Sequence, residues 1–271
     1  MARAGKWITG ARPDQPVSEV ARLALQARLE LVAHFMPLAA ERAAEDVEFV
    51  HQLRVTTRRA GAALTMFARL LPEKRARRFK KNLRRIRRAA GDARNLDVLC
   101  QRLRDRQGAE PEEALAAIIH YVEKYRRQAQ HPLVKSVTRL SRWDFSDQIE
   151  PLVRRTRWRE DRPEATLGAF ARQLLPATSA KFFAASQKNL SKVGALHRLR
   201  IAGKQLRYAM ELIAGGFDKS FRAQSYPTMS RIQDQLGEIN DHCTAKNLYT
   251  EWIQHGSLDG QVPELQTRQA E

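Results

Sequence analysis

Cysteine is almost missing from this chain. Cys100 and Cys243 are the only two in 271 residues. Their separation fits neither a disulfide framework nor a metal-ligand spacing, and a reducing compartment is the default expectation. Long apolar runs are missing too. None approaches the roughly 18 residues of a membrane span, and Met1 to Pro16 carries charge without the apolar stretch of a signal peptide. The expectation is a cytoplasmic protein with no membrane contact. Runs that alternate Val, Ile or Thr with polar residues do not occur, which argues against β and α/β architectures. Neither a Gly-rich phosphate cradle nor carboxylates spaced for Mg²⁺ are visible. The chain therefore reads as a non-enzymatic protein with no cofactor and no metal. Aromatic residues make up 7%, and among the basic stripes described below only Tyr208 is aromatic. That disfavours recognition of nucleic-acid bases by stacking.

Positive charge is what the chain has in plenty. Lys and Arg number 48 against 30 Asp and Glu, a net of +18. Such a field attracts phosphate-rich partners and speeds encounter with them. Arg outnumbers Lys, and its planar fork suits phosphate oxygens.

Apolar residues recur at three- and four-residue steps throughout. Helices are expected at about 18–44, 46–71, 73–91, 95–107, 111–129, 133–141, 146–157, 164–186, 189–214, 218–238 and 241–255. Breaks coincide with Pro72, Gly91, Gly108 to Pro111, Pro132, Pro163, Gly215-Gly216 and Gly256. Long helices with short connections indicate antiparallel bundles.

An internal repeat organises them. With residue i placed over i+146 and no gaps, His51-Gln52-Leu53-Arg54-Val55 falls on His197-Arg198-Leu199-Arg200-Ile201. Arg58 falls on Lys204, Leu64 on Met210, Leu83 on Met229, and Gly91-Asp92 on Gly237-Glu238. The fold class expected is all-α, two pseudo-symmetric antiparallel helical bundles in one domain over 16–255. The first lobe spans 16–145 and the second 146–255, with weakly ordered ends at 1–15 and 256–271.

In the first copy Leu53, Ala60, Leu64, Phe67 and Leu71 share one helix face, while His51, Arg54 and Arg58 share the opposite one. In the second copy Leu199, Leu206, Met210 and Ile213 form the apolar stripe and His197, Arg200, Lys204 and Arg207 the polar one. A solubilising face would mix signs at four-residue spacing. Two matched stripes of like charge instead suit an extended anion lying between them. Residues 74–94 hold eleven Lys or Arg and one acid, Asp92. Phe79, Leu83 and Ile86 give that helix its apolar stripe, with Lys81, Arg84, Arg85 and Arg88 on the far side. The turns at 91–97 and 237–241 offer Gly to end one helix and Asn or Asp to cap the next. Asp92 and Asp97 are read as caps or as partners that orient arginines.

The two His-led H-x-x-R helices and the Gly-Asp-Ala-Arg-Asn-Leu-Asp turn resemble the CHAD domain, a conserved-histidine α-helical family, over about residues 18 to 255. The resemblance implies a two-lobed fold and binding of inorganic polyphosphate at a basic surface between the lobes. It also implies association with polyphosphate granules. Asn95 stands where the family more often has Asp. The Glu-x-Glu-x-Lys strand of the triphosphate tunnel enzymes that often accompany the family does not occur here. The expected polyphosphate-binding residues are His51, Arg54, Arg58, Arg59, Lys81, Arg84, Arg85, Arg88, His197, Arg200, Lys204 and Arg207. The alternative is a protein that binds nucleic-acid backbones. Charged histidines on the polar stripes would make binding strengthen as pH falls through the histidine range.

Overall fold

In a computed structural model, which describes residues 5–106 and 113–254, nine α-helices follow one another among the described residues. They are α1 (Val17–Glu41), α2 (Glu48–Met66), α3 (Glu73–Ala89), α4 (Gly91–Arg106), α5 (Glu113–Ser141), α6 (Ile149–Arg154), α7 (Leu167–Ser186), α8 (Val193–Ile213) and α9 (Tyr226–Gln254). Among the described residues there is no strand; a single isolated bridge joins Pro16 to Thr166. The expected tail at 256–271 lies outside the described residues.

The repeat is realised helix by helix. The offset sets α1 over α7 and α2 over α8. It sets α3 over the π-turn Phe221–Ser225 with the start of α9, and α4 over the rest of α9. Counterparts meet across the molecule, α2 against α8 and α4 against α9. The stripes that spacing assigns to the interior are buried: Leu53, Ala60, Leu64, Phe67 and Leu71 in one copy, Leu199, Leu206, Met210 and Ile213 in the other. The first core joins α1, α2, α3, the C-terminal half of α5, and α6. The second joins α7, α8, the π-turn and α9. A third joins Leu96, Leu99 and Leu103 of α4 to Tyr121 and Val122 of α5 and Trp252 of α9.

Packing moves several sequence boundaries. The break expected at Pro132 does not occur, and α5 runs through it. Proline removes one backbone bond and costs about 3 kcal/mol in a helix interior. Leu133, Val137 and Leu140 are buried just beyond it. The Gln130 amide also donates to the Ala39 and Ala40 carbonyls, at 2.7 and 3.2 Å. Burying three such side chains, at about 1.5–3 kcal/mol each, outweighs the proline. The turn expected at 237–241 is likewise helical, within α9. The turn at 91–97 shrinks to Ala90, because α4 begins at Gly91. Asn95 and Asp97 are therefore not caps but sit inside α4, while Asp92 lies in its first turn, where a carboxylate favours the positive helix end.

The lobe boundary also shifts. Ile149 and Leu152 of α6 belong to the first core although they follow residue 145. Residues 5–15, read from sequence as part of a weakly ordered end, lie against the bundle. Arg28 donates to the carbonyls of Gly5 and Lys6 at 2.7 and 2.5 Å, and Ile8 is buried.

Candidate anion-binding cleft

Because α2 meets α8 and α4 meets α9, the polar faces of both copies open onto one cleft of about 840 Å³. The first copy contributes His51, Arg54, Arg58, Arg59 and Arg94 to its lining. The second contributes Arg200, Lys204 and Arg207, and Lys6 reaches in from the N-terminal segment. Acids are fewer: Glu48 on α2, and Asp234, Glu238 and Asp241 on α9.

Each cation is placed by its helix. Arg54 Nη1 donates to the Arg87 carbonyl in the last turn of α3 at 3.1 Å, where the helix end is negative. Gly91 lies beside that guanidinium, where a Cβ would sit 3.4 Å from Arg54 Nη1 in ordinary contact. Arg207 and Arg59 are held from beneath by Glu211, which is 1% exposed. Glu211 accepts from Arg59 Nε at 2.7 Å and from the Tyr226 hydroxyl at 2.8 Å. It lies 3.4 Å from Arg207 Nη1 and 4.0 Å from Arg28 Nη2. This one carboxylate joins α1 and α2 of the first lobe to α8 and α9 of the second.

The cleft is under-neutralised. Burial, then Arg58, Arg94 and Arg87, pulls Arg54 down to about 10, with only Asp92 opposing. Burial, then Arg58, Arg200 and Arg207, pulls Lys204 down to about 7 against Asp241. Burial also lowers Arg200, with Arg58 adding to it. His51 is held below the usual histidine value by burial and by Arg94. Arg207 is the exception: burial lowers it, but Tyr208, Glu211 and Tyr226 together carry it above the ordinary arginine value. An anion entering the cleft relieves these repulsions.

The residues chosen from sequence divide into two groups. His51, Arg54, Arg58, Arg59, Arg200, Lys204 and Arg207 converge. Lys81, Arg84, Arg85, Arg88 and His197 do not line the cleft. The stripe Phe79, Leu83 and Ile86 packs α3 onto the first core, which leaves Lys81, Arg84 and Arg88 exposed outside the cleft lining. His197 is exposed. Sequence reasoning missed Arg94, Gln233 and Glu211. A lone acid in the apolar run Tyr208-Ala-Met-Glu-Leu-Ile, four residues after Arg207, was the available signal for Glu211. Asp97, weighed for an arginine-orienting role, is buried against Arg126 of α5, away from the cleft lining. Among the described residues no three His, Cys, Asp or Glu side chains gather as metal ligands. No described helix is long and apolar enough to cross a membrane.

Comparison with known proteins agrees with this architecture. Residues 5–250 match the profile of the CHAD domain. The structure is similar to that of the CHAD domain from the plant Ricinus communis, at 24% identity and TM-score 0.74, covering 99% of this chain and 91% of that one. It is also similar to PptA from Streptomyces chartreusis, at 18% identity and TM-score 0.53, covering 81% of this chain and 83% of that one. At those identities the likeness is one of fold. No curated protein matches the chain.

Proposed function

Because this chain belongs to the CHAD domain family, we propose that it binds inorganic polyphosphate, without turning it over, in the cleft between its lobes. The observation that carries this is convergence. Two copies of one basic helix face, distant in sequence, point at a single partly dehydrated cavity whose cations outnumber its acids. A chain of phosphates supplies many acceptors in a row, and each neutralised phosphate releases counterions. Cytoplasmic association with polyphosphate granules is part of the same proposal. Arg84 and Arg88, exposed on α3 beside Arg87, continue the positive surface outward for the rest of a long chain.

Titration calorimetry with long-chain polyphosphate, DNA and ATP at matched ionic strength tests the proposal. Polyphosphate should bind tightest and displace DNA at far lower monomer concentration than the reverse. With about eight contacts, log K should fall with log salt at a slope of roughly −5 to −7, by analogy with nucleic acids. A flat salt dependence, or DNA outcompeting polyphosphate, would overturn it. Phosphate release from polyphosphate with Mg²⁺ would overturn the absence of turnover.

Proton uptake gives a second check. Free Lys204 stands at about 7, and bound phosphate oxygens return it towards the ordinary lysine value of about 10.4. The bound state then holds more protons than the free state between those values. The Lys204 contribution to affinity is therefore full below about pH 7 and falls as pH rises, by up to tenfold per unit. Calorimetry at about pH 8.5 in two buffers of different ionisation enthalpy should show uptake of nearly one proton per protein. In Lys204→Met the uptake should vanish; no uptake by the wild type sinks the assignment. His51 adds a similar step at lower pH, below the ordinary histidine range, because its own value is already depressed in the free cleft.

A further inference from the structure

Gln233 is a cleft residue whose chemistry the charge argument leaves unused. It lies on α9, lines the cleft and is 5% exposed. Both of its amide atoms are buried with no hydrogen-bond partner. A buried polar group left unpaired costs about 1–3 kcal/mol, and folded proteins rarely keep one without a reason.

The seat of this amide is also specific. Gly203 on α8 faces it, and a Cβ at that position would lie 2.0 Å from Gln233 Nε2 and 3.0 Å from its Cδ. Any side chain on residue 203 would displace the amide. The repeat shows what the seat is for. The offset of 146 places Gln233 where the first copy has Arg87, and Asn240 where it has Arg94. Arg94 lines the cleft, and Arg87 is close enough to raise the cost of charge on Arg54 and to feel the charge of Arg58. Asn240 differs from Gln233 in being partnered within α9, by Asp241 and Thr244. Gln233 combines a cleft-lining position with a buried amide that has no hydrogen-bond partner.

We propose that Gln233 is a specificity-determining residue, whose buried amide donates a hydrogen bond to a phosphoryl oxygen of the bound chain beside Lys204 and Arg200. This rests on the polyphosphate reading of the cleft. The amide adds a neutral donor where the second lobe has given up a charge. It rewards a phosphoryl oxygen at one place, which diffuse attraction does not. It also takes no part in counterion release, because it is neutral.

That last property separates it from the surrounding cations. Long-chain polyphosphate is titrated against wild type, Gln233→Met and Gln233→Arg across a series of salt concentrations, with thermal unfolding of each free protein. Gln233→Met should bind roughly tenfold to a hundredfold more weakly, as expected for losing a bond to a charged acceptor. Its salt slope should equal that of wild type, and its free-state stability should be equal or higher. Gln233→Arg restores the residue of the first copy and should keep binding while steepening the slope by about 0.7–0.9. Wild-type affinity in Gln233→Met would overturn the role of the amide and leave the polyphosphate reading intact. So would a weakened affinity that came with a changed slope or a lower unfolding temperature. Failure of wild type to bind polyphosphate would overturn both.

Discussion

The double reversal Arg54→Glu with Arg200→Glu is expected to lower polyphosphate affinity by more than about 1000-fold at 0.1 M salt. The two residues are repeat counterparts and line the cleft from opposite lobes. Each substitution removes an attraction and installs a repulsion. A pair of unit charges at about 4 Å is worth on the order of 4 kcal/mol near a protein surface, so even heavily screened losses at two sites pass the 1000-fold mark. Folding should not suffer. Arg54 stands among Arg58, Arg94 and Arg87, and Arg200 beside Arg58, so a carboxylate at either place relieves repulsion. The free double variant should unfold at the same temperature as wild type or higher, while polyphosphate no longer raises that temperature. Titration calorimetry and thermal unfolding measure the two effects. Wild-type affinity in the double variant would move the binding face elsewhere, the outward basic face of α3 being the next to test.

Glu211→Gln should produce the largest loss of stability available from one side chain at the lobe junction. Arg28 is 2% exposed and Glu211 1%, with Arg59 and Arg207 close by. Removing the carboxylate charge strands buried guanidinium groups without their counter-ion. Breaking a buried pair in this way costs about 3–5 kcal/mol. Urea unfolding should show the midpoint falling by the matching amount, and an unchanged midpoint would exclude Glu211 as the hub. The variant makes a second, opposite prediction. Arg59 and Arg207 also line the cleft, where polyphosphate would supply negative charge in place of that carboxylate. The rise in unfolding temperature on adding polyphosphate should be larger in Glu211→Gln than in wild type.

These two expected effects pull in different directions because, on the proposed function, the cleft sacrifices stability for binding. Like charges held together in a partly dry cavity destabilise the free protein and favour the complex. Lys204 shows this most clearly, as burial and three neighbouring cations bring it to about 7.

Much of this was legible from residue order. The offset of 146 identified α2 and α8 as counterparts, and helical periodicity assigned their buried stripes correctly down to Leu71 and Ile213. Seven of the twelve residues chosen for binding line the cleft. The five that do not are Lys81, Arg84, Arg85, Arg88 and His197, and residue order could not separate the two groups. Periodicity tells which residues share a face of a helix, but not where that face points once the helix is docked. The missed helical stretches at Pro132 and Gly237 have a related cause. Proline and glycine carry local costs of about 3 and 1 kcal/mol, which a sequence shows directly. The burial of Leu133, Leu140 and Trp252 that outweighs them is visible only once distant helices are in place.

The sequence by itself therefore determined the all-helical class, the duplication, the excess of positive charge and the basic stripe on each copy. All of these depend on residue type and on spacings within about two helical turns. Tertiary structure alone decided that the two stripes share one cleft, that most of the basic face of α3 lies outside its lining, that Glu211 ties the lobes beneath Arg59 and Arg207, and that the Gln233 amide is left unpaired within it. Each of those depends on contacts between helices far apart in the chain. Their geometry is set by how the cores of both lobes fill, a property of the packed whole that no local pattern encodes.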